Sequence, residues 1–345
     1  MNHHRSNLWL TYLQYNFDSH KAYLRTSYPG FAGNADVFYV ADAPYGYGEV
    51  DTMSKNKTDY VRVASYIFTE EYRNQYGSDA TGILFNKCLT LLHRQLKSEG
   101  YDIRLPHCWY RWGDEVVRYY VPYIQWTHDD LMKTTVSYRG PAPHINYKDD
   151  LVRRSEDYIL EFINEHGEDR EGMETAVDEV YSGAPFEFQK NYRELRESLQ
   201  ISLNQVGFDN FEQYVMGLFE SAMGSFPREF KSLSDQKDRF SSVFREAAVN
   251  GASGGDLFDL AETFWFYFCY HLRLNNRCHE NITRETLNIW REMLPEREND
   301  FEISIQNYAA QLCSPNTSNP VVLGLLSSRE ERLSELREIL SELEG

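Results

Sequence analysis

From Asp59 onward, apolar residues recur at three- and four-residue intervals, the spacing of helices that bury one face. Val61, Val63, Ala64, Ile67 and Phe68 predict a first helix, with Asp59 placed to accept hydrogen bonds from its free amides. Gly77-Ser78-Asp79 breaks it. A second helix gathers Ile83, Leu84, Cys88, Leu91, Leu92 and Leu96 on one face and stops at Gly100. Residues 149–166 repeat the pattern through Leu151, Val152, Tyr158, Ile159, Phe162 and Ile163, and Gly167 closes them. Further helices are predicted over residues 174–181, 186–203, 211–226, 240–249, 256–274, 283–294, 301–312 and 327–343.

The helical spacing lapses in two places. Between Leu105 and Tyr147, Val116, Val117, Tyr119, Val121 and Tyr123 favour a strand or mixed turn, and residues 134–147 a short strand or hairpin. Residues 1–55 are rich in Tyr, Gly and Asn, with turn signals at Pro29-Gly30, Ala43-Pro44 and Gly46-Tyr47-Gly48. Leu8, Tyr12, Leu13, Tyr15 and Leu24 predict one helix around Ser6 to Arg25, and the rest reads as loop or short strand. The expected fold is mainly α. An N-terminal extension (1–55) precedes a compact helical domain with a small β element (56–203) and a C-terminal helical bundle (204–345). The junction is expected between Gln200 and Phe211, with a weak mobile joint at Gly251 to Gly255.

Composition narrows the function classes. A formal charge of −18 disfavours a duplex phosphate surface as partner. Acid excess with Arg preferred over Lys suits either a salt-adapted cytoplasm or ordinary mesophilic acidity. Five cysteines (Cys88, Cys108, Cys269, Cys278 and Cys313), odd in number and irregular in spacing, argue against a disulfide framework and for a reducing cytoplasm. Residues 1–20 lack the apolar run of a signal peptide. The richest apolar stretch, Phe264 to Tyr270, is far too short for a membrane span, so no membrane partner is expected.

Candidate chemistry is sparse. Arg273 and His279 follow an apolar helix as Arg-Leu-Asn-Asn-Arg-Cys-His, a pattern that resembles the active motif of HEPN-type ribonucleases. There an Arg would hold phosphate and a His would move a proton. Leu274 stands where that family carries a polar residue, and Arg273 and Arg277 also suit a helix C-terminus. Cys269, His271, Cys278 and His279 offer zinc-type donors, but the adjacent Cys278-His279 pair does not readily converge on one ion, so no metal or cofactor is expected. His107 and His128 have no nucleophile that faces them, because the neighbouring Cys108 points away from His107 along an extended chain. Trp109, Tyr110, Trp112, Tyr119, Tyr120, Tyr123 and Trp126 form the densest aromatic segment. Core, protein interface and single-strand stacking remain open for it, with Asp114, Glu115, Asp129 and Asp130 weakening the last. Leu333, Leu336, Leu340 and Leu343 make a short seam that can self-associate or dock on its own bundle.

Residues 59 to about 195 are similar to the Panacea domain, an antitoxin-like module also found in phage-associated proteins and a proteolytic adaptor. Val63-Ala64-Ser65-Tyr66-Ile67 matches that family's opening helix, and Leu84-Phe85-Asn86-Lys87-Cys88-Leu89 resembles its Leu-x-Lys-Leu-Leu-Tyr pattern. Tyr110-Arg111-Trp112-Gly113-Asp114-Glu115-Val116 approximates its Trp-x-Tyr-Gly-Pro-Val turn, with Asp114 in place of Pro, and Pro185-Phe186 stands near its Pro-Trp position. The resemblance implies a compact helical domain that binds a protein and performs no chemistry of its own.

The expected function is therefore a cytoplasmic, non-catalytic, antitoxin-like or adaptor-like module. A protein partner, such as a basic toxin, would meet Trp109, Tyr110, Trp112, Gly113, Tyr119 and Tyr123. Two alternatives stay open. One is a winged-helix DNA-binding regulator, for which residues 83–99 supply Lys87, Arg94 and Lys97. The other is a ribonuclease using Arg273 and His279.

Overall fold

The computed structural model describes residues 10–16, 21–27, 37–41, 59–121, 123–128, 134–167, 169–202 and 211–313. The first described element corrects the sequence reading. In place of a helix around Ser6 to Arg25 there is an antiparallel sheet of β1 (Leu10–Asn16), β2 (Lys21–Ser27) and β3 (Val37–Ala41), with Leu13 opposite Leu24. Thr11, Tyr12, Tyr15, Tyr23 and Thr26 are β-branched or aromatic, and that preference overrides a helical spacing resting on few residues. The chain then divides into two compact units.

The first unit takes β1 and β2 together with Val37–Phe186 and Phe268–Leu294. Its opening helix, α1 (Tyr60–Tyr76), is capped as its sequence predicts: Asp59 accepts a hydrogen bond from the Arg62 amide at 3.1 Å, and Gly77 ends it in the left-handed region. β4 (Ala80–Thr81) leads into α2 (Gly82–Ser98), where Thr81 Oγ1 caps the Leu84 amide at 3.2 Å. The β segment resolves into a hairpin of β5 (His107–Tyr110) and β6 (Gly113–Val116), a 3-10 turn at Arg118–Tyr120, and a second hairpin of β7 (Ile124–His128) and β8 (Thr134–Tyr138). Next come α3 (Asp150–His166) and α4 (Arg170–Ser182), each capped by the side chain of the preceding Asp. α1 packs on α3, and α2 on α3, α4 and β6. Phe68, Phe85, Leu89, Leu92, Ile159 and Ile163 are fully buried in the shared core.

The second unit takes Glu187–Tyr267 and the stretch from Pro295. It contains α5 (Glu187–Ser202), α6 (Phe211–Gly224), a 3-10 segment at Arg228–Leu233 and α7 (Ser234–Val249). α8 (Gly254–Leu272) contributes its residues through Tyr267 here and its last turn to the first unit. The first unit also holds β9 (His279–Glu280) and α9 (Arg284–Glu292), and α10 (Leu294–Leu312) continues the second. β4-β8-β7 and β6-β5-β9 are separate three-stranded sheets.

Aromatic rings fill the second core. Phe240 stacks on Phe264 at 4.4 Å, Phe219 on Phe244 at 4.3 Å and Tyr192 on Trp265 at 5.4 Å. The stretch expected to be a mobile joint is a capped turn. Gly251 takes a positive φ, and Ser253 and Asp256 exchange hydrogen bonds across the first turn of α8, which already includes Gly254 and Gly255. The fold is thus mainly α with small β elements. Residues 203–210, most of the Gln200–Phe211 stretch where the module junction was expected, and the 327–343 helix lie outside the described residues.

Candidate functional site

One polar stripe on α2 organises the first unit's chemistry. Asn86, Lys87, His93, Arg94 and Lys97 of α2 meet the β5–β6 hairpin and β9. Asn86 Oδ1 accepts from the Val116 amide at 3.2 Å. Lys87, 0% exposed, donates from Nζ to the carbonyls of Trp112 (2.5 Å) and Asp114 (3.0 Å). These contacts fix the hairpin tip. Gly113 sits there at φ 96°, and a Cβ at this position would meet the Tyr181 ring at 3.0 Å and Lys87 Nζ at 3.3 Å. Only glycine meets both demands without strain.

Asp114 is the hub. Its buried carboxylate accepts from Arg94 Nη2 at 2.8 Å and lies 2.7 Å from His107 Nδ1. Burial alone would raise the carboxyl, but the attraction and hydrogen bonds of His107 and Arg94 outweigh it and hold it at about 2. Because that is below the value in an unfolded chain, the stabilisation is complete above about pH 4 and is lost as pH falls through about 2. Asp114→Asn should therefore remove about 2 kcal/mol of stability at neutral pH and flatten the acid limb. Denaturant titrations from pH 7 to pH 2 check this; parallel acid limbs in wild type and variant would contradict it.

Around the hub, imidazoles and carboxylates converge. The His93 and His107 rings lie 5.1 Å apart, edge to face. His93 Nε2 is 3.3 Å from Glu280 Oε2, which also accepts from Lys97 Nζ at 2.5 Å. β9 brings Glu280 into place by pairing with β5, Glu280 opposite His107 and His279 opposite Cys108. Burial, then the proximity of His107, lowers the pKa of both His93 and His279. Among the described residues, His107 Nε2, His93 Nδ1 and His279 Nε2 are buried atoms without a hydrogen-bond partner.

The expected site residues scatter. Trp112 is 47% exposed at the hairpin tip, with the Arg111 guanidinium 4.7 Å above its ring. Tyr110 is half-buried, 5.8 Å from the Tyr270 ring. Trp109 is not a surface residue: it is 3% exposed, against Tyr181, because in a strand it faces opposite to Cys108 and Tyr110 and into the α2–α4 side. Gly113 is also buried and shapes the turn from within. Tyr123 is 43% exposed but belongs to the other sheet region, beside Arg62, Tyr138 and Gly140. The Tyr119 side chain lies outside the described residues.

Arg273 is buried and caged by the rings of Tyr110, Tyr270 and Trp290 at 5.2, 4.8 and 4.5 Å. The rings thus surround Arg273, and His279 lies on β9 opposite Cys108. Of the zinc-type donors read from sequence, Cys269 and Cys278 are buried. The donors that do meet among the described residues are His93, His107 and Glu280. Sequence reasoning passed over His93, Asp114 and Glu280. A polar residue recurring within α2's apolar pattern was the available signal.

Comparison with family models, curated proteins and solved structures gives no match to the chain. Among the described residues, no helix is long and apolar enough to cross a membrane.

Proposed function

We propose that this protein is a non-catalytic, antitoxin-like or adaptor-like binding module whose β5–β6 hairpin tip engages a protein partner. The observation that carries this reading is an exposed Trp112 on a turn held by the buried Lys87. Trp and Arg dominate binding hot spots, and a side chain presented on fixed backbone loses little entropy on binding. Arg111 over Trp112 joins both residue types in one patch. The charge of −18 favours a basic partner, a toxin being the kind that the Panacea resemblance implies.

The rival readings find less support. A recognition helix built on α2 would need its cations, yet Lys87 is fully buried, Arg94 pairs with Asp114 and Lys97 with Glu280. Ribonuclease chemistry would need Arg273 outside its aromatic cage. Affinity capture with the full chain, identified by mass spectrometry and repeated with Trp112→Ala, tests the proposal. One protein is expected to be retained by wild type and lost with the variant. Retention of duplex DNA at moderate salt in its place, or RNA cleavage abolished by His279→Ala, would overturn it.

A further inference from the structure

We propose that His93, His107 and Glu280 form a binding site for a divalent transition metal of the zinc class. One donor atom from each lies within 4.8 Å of the other two. Donors around a tetrahedral zinc at ordinary bond lengths stand about 3.4 Å apart, so the three side chains need to close by up to about 1.4 Å. Imidazole with one carboxylate is a donor set that zinc-class ions accept and that calcium or magnesium does not favour.

The second observation is His107 itself. Its Nδ1 is occupied by Asp114 at 2.7 Å, which leaves Nε2 as its donor atom, and that atom is buried with no hydrogen-bond partner among the described residues. A carboxylate on the far nitrogen is the outer-shell arrangement that orients metal-binding histidines and raises their basicity. Asp114 is in turn fixed by Arg94, so the histidine is aimed by a buried network. A buried nitrogen left without a partner is costly, and an ion removes that cost. Glu280 is the half-exposed ligand and defines the solvent side, where a fourth, exchangeable ligand can enter. The site would join α2, β5 and β9, clipping the Phe268–Leu294 segment to the body of its own unit.

Lys97 competes for the same carboxylate, since its Nζ already donates to Glu280 Oε2. The competition gives the proposal two opposed variants. The full chain, stripped with chelator and confirmed folded by circular dichroism, is titrated with Zn²⁺ and, for its visible spectrum, with Co²⁺. Wild type is expected to take up one equivalent at micromolar concentration and to unfold at higher temperature when loaded. Glu280→Gln should weaken binding at least about tenfold, whereas Lys97→Met should bind as tightly or more so. The adjacent N-terminal histidines His3 and His4 are the other place where the sequence pairs imidazoles, and a His3→Ala/His4→Ala variant should bind like wild type. No uptake by the folded wild type, undiminished affinity in Glu280→Gln, weakened affinity in Lys97→Met, or loss confined to the His3/His4 variant would each overturn the proposal.

Discussion

Glu262→Ala is expected to destabilise the second unit by about 3–5 kcal/mol. Glu262 on α8 pairs with Arg196 on α5, and both side chains are buried. The Arg196 guanidinium also lies over the Trp265 ring at 5.3 Å, so water has little access to it. Removing the carboxylate leaves a buried cation with its main counter-charge gone, and a guanidinium cannot neutralise itself by losing a proton. The penalty therefore exceeds the modest net value of the pair itself. The double variant Arg196→Met/Glu262→Leu supplies the control: with both charges gone and volume kept, it should recover most of the loss. Urea denaturation followed by tryptophan fluorescence reads both, with Trp265 beside the pair. A single variant as stable as wild type would contradict the buried pair, and a double variant no better than the single would assign the loss to packing.

Lys87→Ala is the second large effect, at about 3–5 kcal/mol in the first unit. The substitution empties a fully buried volume and removes the donor to the carbonyls of Trp112 and Asp114. Lys87→Met separates the two contributions. It keeps most of the packing and loses only the charged hydrogen bonds, so a smaller cost of about 1.5–3 kcal/mol is expected. Both variants should also loosen the hairpin tip, seen as faster amide exchange at Trp112 and Gly113. Wild-type exchange there in Lys87→Met would show that Lys87 does not brace the turn.

Much of the fold was legible because each helix announces itself locally. The stripe from Val61 to Phe68 predicted α1, Asp59 and Gly77 its ends, and the stripe from Leu151 to Ile163 predicted α3. The failures came where local rules compete. Leu8, Tyr12 and Tyr15 mimic a helical face, while the surrounding Thr and Tyr residues follow strand preference instead. At Gly251 to Gly255, where the glycines suggest a weak mobile joint, Ser253 and Asp256 cap the start of α8.

The candidate sites were less legible, for a different reason. Trp112 stood out by composition, but it is exposed because it stands in the turn between β5 and β6, whereas Trp109 sits within β5 and faces Tyr181. Lys87 reads as a surface cation in any sequence pattern, since nothing local records that two carbonyls await it. Glu280 meets His93 across 187 residues through the pairing of β9 with β5, a contact that no motif spacing encodes.

The central claim, that a Lys87-braced hairpin anchors a partner through Trp112, is tested most directly by titrating the captured partner against wild type and Trp112→Ala by calorimetry. Both proteins must first give the same circular dichroism and melting temperature, as expected for a side chain that stands half in solvent. The account predicts a loss of about 2 kcal/mol or more, a weakening of roughly thirtyfold or greater, with the fold unchanged. Equal affinity of the two folded proteins would contradict it.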